Sequence, residues 1–252
     1  MPVWSANVLT LFPDMFPGPL GVGLSATAMA RGLWNLKTVD IRAFAGDKHG
    51  SVDDPPYGGG AGMVLKPDVV ASALDSVLTS GSEVGQQNLS KVCLTPRGLP
   101  ISQKDIKRFV DSPGIVLLCG RFEGIDQRVI DAKGLEEISL GDIVLSSGEP
   151  AAVALIDACV RLLPGVIGNN QGVVNESFEG GLLEHPHYTR PRVWEGREVP
   201  EVLVSGHHKE VEIWRHRESE IATKERRPDM WEKYNSLGSG NIVANTNKEK
   251  NE

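Results

Sequence analysis

The residues of this chain best suited to chemistry sit in glycine-bearing loops. Gly120-Arg121-Phe122-Glu123-Gly124 and the stretch from Gly141 to Gly148 each follow a strand-like apolar run. Glycine lets the backbone approach a ligand closely, and N–H and C=O groups exposed at strand ends can read the edge of an adenine. Alone, these loops imply a nucleotide-like ligand. A third loop, Asp53-Asp54-Pro55-Pro56-Tyr57-Gly58-Gly59-Gly60, joins two carboxylates, a rigid proline pair, an aromatic ring and three glycines. A mere connection does not need that combination, so it points to a ligand-facing role. The run Tyr57 to Gly62 can cradle phosphate on its backbone N–H groups, but no Gly-Lys-Ser/Thr follows, so it is not a P-loop.

Other patterns carry less. Gly21-Val22-Gly23-Leu24-Ser25-Ala26 matches G-x-G-x-x-G/A, with Asp40 near the end of the next strand. This leaves a nicotinamide-dependent oxidoreductase as a second reading. Against it, Pro13 to Pro19 separates the first glycine from the strand, whereas the fingerprint needs it at the turn directly after the strand. His185-Pro186-His187 and His207-His208 lack metal-ligand spacing and have no cysteine pair beside them, so no metal site is expected. No Gly-x-Ser-x-Gly elbow anchors a hydrolase triad. Cys93, Cys119 and Cys159 lie in apolar stretches and are expected to be buried, reduced thiols.

The elements that must position these loops alternate in type. Val3 to Phe12 reads as a strand, Leu24 to Leu33 as a helix, and Leu36 to Phe44 as a second strand. Pro67 to Leu78 has helical spacing and opens on a proline. Lys91 to Leu94, Gly114 to Cys119 and Leu135 to Val144 are strand-like, and each ends in a glycine-bearing loop, the first of them Thr95-Pro96-Arg97-Gly98. Helices are predicted over about Gln103 to Val110, Asp126 to Ala132 and Ala151 to Leu163. Strands alternating with helices mean an α/β fold with a mostly parallel sheet, whose ligands bind outside the carboxyl ends of the strands. Residues 1–167 form this domain. The glycine-rich stretch 168–181 reads as a flexible linker. Residues 182–236 read as a small helical domain, with patterns over Glu210 to Lys224 and Pro228 to Tyr234, and residues 237–252 as a disordered tail.

Bulk properties exclude some classes. No apolar run approaches the roughly 20 residues that span a bilayer, and the first residues lack a basic, signal-like segment, so a cytoplasmic protein is expected. The net charge is −7, and eight acidic against three basic residues between Arg121 and Val160 supply −5 of it. From Thr189 to Lys233 ten basic residues balance ten acidic ones. A nucleic-acid face fits such a distribution, although charge alone does not call for one.

Taken together, a series of ordered motifs closely resembles the bacterial tRNA (guanine-N1)-methyltransferases, the TrmD family within the knotted SPOUT class. The resemblance runs from about Val3 to Arg227. It rests on Leu11-Phe12-Pro13-Asp14-Met15-Phe16, Val52-Asp53-Asp54 with Tyr57-Gly58-Gly59-Gly60, and Cys119 to Asp126. It continues in Gly141 to Ser146, Leu163-Pro164-Gly165-Val166 and Glu184-His185-Pro186-His187-Tyr188-Thr189-Arg190-Pro191.

That resemblance implies a homodimer with its active site at the subunit interface and a deep trefoil knot that holds S-adenosylmethionine. The pocket would use Leu94, Thr95, Pro96, Gly120 and Glu123. It would also use Leu140, Gly141, Asp142, Ile143, Val144 and Leu145, followed by Ser147 and Gly148. The substrate would be tRNA at the guanosine immediately 3′ of the anticodon (guanosine 37), with Asp53, Asp54, Tyr57, Gly58, Gly59 and Arg190 as substrate-binding residues. Mg2+ would assist. Guanine N1 is a poor nucleophile until its proton leaves, so a carboxylate should take that proton while a cation stabilises charge growing on O6. Matching the family pattern puts the cation at Arg161 and the base at Glu176, where most members carry Asp. A non-catalytic RNA-binding relative is the reading that this exchange leaves open. Gly148-Glu149-Pro150-Ala151 also departs from the usual proline placement.

Overall fold

The computed structural model describes residues 3–79, 88–168 and 176–236 of the 252. The chain divides into two compact units, Met1–Gly168 and Asn169–Glu252. The expected tail and half of the expected linker, residues 169–175, fall outside the described residues.

The first unit is built on a five-stranded sheet in which every pairing is parallel. In chain order its main elements are β1 (Trp4–Thr10), α1 (Gly23–Ala30), β2 (Trp34–Asp40), a small ribbon of β3 (Asp53–Asp54) with β4 (Val64–Leu65), and α2 (Pro67–Thr79). There follow β5 (Ser90–Pro100), α3 (Gln103–Asp111), β6 (Gly114–Cys119), α4 (Gln127–Lys133), β7 (Glu136–Ser139) and α5 (Glu149–Val160). The sheet order is β2-β1-β6-β5-β7. All six residues of β6 are buried, which is what a central parallel strand covered on both faces requires.

Period-two alternation sorts the strand residues onto two cores. Ala6, Val8, Val92, Ile115 and Leu117 pack with α1, α3 and α5, while Leu9, Cys93, Val116 and Leu118 pack with α2 and α4. Two indoles tie helices to strands. Trp4 donates to the Phe109 carbonyl at 3.1 Å, and Trp34 donates to the Ser25 carbonyl at 2.9 Å.

Three strands differ from their sequence outlines. The second ends at Asp40, whose carboxylate accepts the Arg42 N–H at 2.9 Å and starts a 3-10 helix over Ile41–Phe44. β5 runs to Pro100, but its ladder with β7 breaks between Leu94 and Leu99, so residues 95–98 bulge from the sheet. β7 stops at Ser139 rather than Val144. Ser139 Oγ donates to the Gly141 carbonyl at 2.8 Å and accepts the Gly141 N–H at 3.1 Å, and Gly141 has φ +145°. The apolar residues that looked like more strand belong to the loop instead.

The second unit holds a ribbon, β8 (Val193–Trp194) with β9 (Arg197–Glu198), a 3-10 helix (Glu201–Val204), and two helices, α6 (His208–Arg226) and α7 (Pro228–Ser236). Its described buried side chains are Ser219 and Thr223. Thr223 Oγ1 accepts the Leu183 N–H at 2.8 Å and so fixes the entering chain to α6.

Candidate active site

Beyond the carboxyl ends of β5, β6 and β7 lies a cleft of about 320 Å³. The bulge after Leu94 forms one wall, the loop from Gly120 to Ile125 a second, and the segment from Ser139 to Gly148 the third. Of the expected cofactor residues, Leu94, Thr95, Pro96, Gly120 and Glu123 line it, as do Leu140, Ile143, Val144, Leu145, Ser147 and Gly148. Gly141 and Asp142 are not among the lining residues; Gly141 sits in the turn that Ser139 braces, where its carbonyl accepts the Ile143 N–H at 2.8 Å.

Two glycines let the walls meet. A Cβ on Gly98 would lie 2.4 Å from the backbone nitrogen of Ile138, and one on Gly148 would lie 2.8 Å from Cys119 Cα and 2.9 Å from the Gly120 nitrogen. Only a residue without a side chain fits such approaches. The Gly148 N–H donates to the Gly120 carbonyl at 3.0 Å. The chain leaving the edge strand β7 thereby recrosses β5 and docks on β6 before α5 begins.

The glycine-rich loop after β3 reaches the same place. Asp53 and Asp54 pair with Leu65 and Val64. β4 is stapled to the loop after β6 through Glu123 N–H to the Met63 carbonyl (2.9 Å) and Leu65 N–H to the Gly124 carbonyl (3.0 Å). Gly62, at φ +84°, lies so close to Glu123 that a Cβ there would be 2.3 Å from its carboxylate. Tyr57, at the tip, is 98% exposed, and Gly58 and Gly59 take positive φ beside it.

Several contributors to the cleft went unanticipated. Arg121 stacks over the Phe12 ring at 4.2 Å and donates to the Ser146 carbonyl at 3.0 Å, locking the second wall to the third. Arg42 covers the same ring at 5.3 Å. Arg97 on the bulge donates to Glu137 at 2.7 Å and also to Gln127. Arg97 and Arg121 lie within the predicted loops, yet their contacts join residues far apart in sequence. Beneath the cleft, Glu149 opens α5 with no exposed surface. Thr10 Oγ1 donates to its Oε1 at 2.5 Å, while Oε2 is buried without a hydrogen-bond partner. The cleft therefore places Glu123 and Glu137 beside Arg97 and Arg121, among apolar side chains and exposed strand-end backbone. That mixture suits a nucleoside-sized ligand carrying both charges.

The remaining candidates are separated. Arg161 is the C-cap residue of α5 in the first unit. Glu176 and Arg190 belong to the second unit. The Gly21/Gly23 pattern does not form a nucleotide turn. Gly21 ends a 3-10 helix over Gly18–Gly21, far along the chain from the end of β1 at Thr10. All three cysteines are buried and unpaired with one another. Burial, with the charge of Glu137 adding to it, pushes the Cys93 thiol up to about 12, and burial does the same at Cys159. No helix among the described residues is long and apolar enough to cross a membrane.

Residues 5–233 match the family model described as tRNA (Guanine-1)-methyltransferase TrmD. A tRNA (guanine-N(1)-)-methyltransferase of Rhizobium johnstonii is 55% identical over 233 residues, covering 92% of this chain and 93% of that protein. The one from Agrobacterium fabrum is 55% identical over 230 residues, 91% of this chain and 97% of its own length. The one from Brucella ovis is 56% identical over 229 residues, 91% and 92% respectively. With a family model matching nearly end to end and relatives this similar over their full lengths, the chain belongs to the TrmD family of tRNA (guanine-1)-methyltransferases.

Proposed function

We propose that this protein transfers a methyl group from S-adenosylmethionine to N1 of a guanine in tRNA, at the guanosine immediately 3′ of the anticodon. The observation that carries the reading is the convergence of the Asp53–Gly62 loop on the three-walled cleft, through Met63, Leu65 and Gly62 to Glu123 and Gly124. A substrate loop and a ligand cleft held together in one rigid unit are what a transfer between two bound molecules needs.

The cleft fits the donor. Its strand-end N–H and C=O groups can hold the adenine edge, Leu94, Leu140 and Leu145 its faces, and Glu123 or Glu137 the positive charge. Bound there, S-adenosylmethionine supplies an electrophilic methyl group. The protein's own residues then manage the proton and the charge of the acceptor. Glu176 takes the N1 proton of guanine, and Arg161 stabilises the negative charge that grows on O6. Asp53, Asp54, Tyr57, Gly58, Gly59 and Arg190 hold the RNA. The return of the chain from β7 over β5 to Gly120 is the crossing at which a trefoil knot would close. The protein works as a homodimer, with the C-terminal domain of one subunit holding tRNA against the other's cleft. Mg2+ has no protein cage in support: no group of three or more His, Cys, Asp or Glu among the described residues is placed to hold a metal.

The test is mass spectrometry of nucleosides after incubating protein, S-adenosylmethionine and tRNA. 1-Methylguanosine should appear with G at the target position and vanish when that base is A. Equal methylation of both would sink the site assignment. Glu176→Gln should leave donor binding intact while slowing methyl transfer by roughly 10²–10⁴-fold, the usual loss of a general base. Full activity of that variant would remove Glu176 from the mechanism, and absence of transfer by the parent protein would favour a non-catalytic RNA binder.

A further inference from the structure

The second unit carries a hollow of about 460 Å³ that shares no lining residue with the cleft. One side is the chain from His185 to Arg192, and the other is the first half of α6 with Trp214 and Arg215. Aromatic rings gather on it. Tyr188 lies 6.1 Å from Trp214 at 59°, His185 lies 6.4 Å from Trp214 at 58°, and His187 lies 4.7 Å from His185. These tilted rings do not stack flat on each other, and Tyr188 remains 48% exposed, so ring faces stay open to a guest.

The charged side chains that line the hollow are basic, and Glu184 stands beside it, 3.6 Å from His187. Arg190, Arg192 and Arg215 line it, and no aspartate or glutamate does, in a chain whose net charge is −7. Arg192 is paired with Glu201 at 2.6 Å. Arg190 and Arg215 form no ion pair or hydrogen bond among the described residues. Two unpaired guanidinium groups lining the same hollow as the aromatic rings complement a ligand that is both flat and anionic. A folded peptide or a membrane surface would not call for both properties in one hollow, whereas a nucleotide has a π-face and a phosphate one sugar apart.

We propose that this hollow binds one unpaired nucleotide of the tRNA, distinct from the guanosine that is methylated, by stacking its base on Trp214 or Tyr188 and holding its phosphate with Arg190 and Arg215. The proposal rests on the tRNA reading and adds a second anchoring point to it. Because the methylated base must lie against the donor in the cleft, a separate nucleotide occupies this site. Its role is to fix the register of the anticodon loop, since base–aromatic stacking holds a base without selecting its identity.

The experiment uses the full-length protein and tRNA transcripts with 2-aminopurine placed singly at each unpaired anticodon-loop position other than the target. Binding should quench the fluorescence at one position. Trp214→Leu should abolish that quench and weaken tRNA binding roughly 5- to 150-fold, the range of one base–aromatic stack, while Trp214→Phe retains most of both. Trp214 also helps hold α6 to the loop, so the exposed pair Arg190→Ala with Arg215→Ala serves as a second test. It should reduce the slope of log affinity against log salt by about one, for the single phosphate that the two arginines share. A quench unchanged in Trp214→Leu, or a slope unchanged in the double variant, overturns the proposal. So does a Trp214→Leu protein that sediments as a smaller species than the parent, because the hollow would then be a face for a second copy. Methylation of the unlabelled transcript, run in parallel with the parent protein, reports separately on the tRNA reading itself.

Discussion

The two concave regions of this protein are built on opposite plans. The cleft of the first unit is walled by backbone: glycines at Gly98 and Gly148 let its loops close on one another, and its carboxylates and guanidinium groups are both present. The hollow of the second unit is walled by side chains, with rings and arginines and no carboxylate. The first plan suits a small ligand that must be held in one shape. The second suits part of a long polyanion, where charge gathers the chain and flat rings steady it. With the roles proposed for them, the two regions divide precision from capture and give each a different material.

Removing one glycine should break this contrast most severely. Gly148→Val would force a side chain into Cys119 and Gly120, so titration calorimetry should find S-adenosylmethionine binding weaker by roughly 100-fold or more. Binding of tRNA at low salt should persist, and loss of both together would mean that the regions are not independent. Salt offers a second separation. Raising it from 50 to 200 mM should weaken tRNA binding steeply, by roughly tenfold or more, and leave donor binding within about twofold. Equal sensitivity would argue that the cleft too captures by net charge.

Two smaller effects test what supports the cleft from below. Thr10→Val removes the donor to buried Glu149 and the acceptor of the Phe12 N–H, which the Thr10 hydroxyl meets at 2.8 Å. Unfolding should show a loss of about 2 kcal/mol, the cost of leaving buried polar groups unmade. No change would mean that Glu149 finds another partner. Asp105→Asn should cost about 1 kcal/mol, because the Asp105 carboxylate accepts the Ser102 N–H at 3.0 Å and its hydroxyl at 2.6 Å where α3 starts. Those bonds, led by the Ser102 hydroxyl and joined by Arg108, hold the Asp105 carboxyl below its ordinary value of 3.8. The unfolded chain therefore takes up the proton first as pH falls. The advantage over the Asn variant should be complete well above pH 4 and disappear as pH drops through the lowered folded value. A gap that persists unchanged at pH 2 would assign the stabilisation elsewhere.

Much of the first plan was legible in the residues, because its devices are local. Glycines at the ends of apolar runs mark loops outside a parallel sheet, and β6 is bounded as its sequence suggests, at Gly114 and Cys119. The third wall was misread as strand because Leu140 and Ile143 to Leu145 are apolar. Their exposure in a cleft depends on the turn that Ser139 imposes, which no periodicity records. The clamp of Arg121 on Phe12 joins residues 109 positions apart, and neither type announces the other. The second plan was nearly invisible. Trp214 and Tyr188 are 26 positions apart on a helix and an irregular stretch, and an arginine beside an aromatic in one sequence looks like any solvated face.

The burial of Cys93, Cys119 and Cys159 has a use beyond packing. Their thiols, raised to about 12 at Cys93 and Cys159 and also raised at Cys119, hold almost no thiolate at neutral pH. Burial and the raised thiols both disfavour reaction of the folded chain with maleimides and alkylating probes. A single cysteine introduced at exposed Tyr57, and another at Ile213 on the outer face of α6, would be the sole reactive handles on it. Spin labels or fluorophores there would report on each unit separately as tRNA is bound and released.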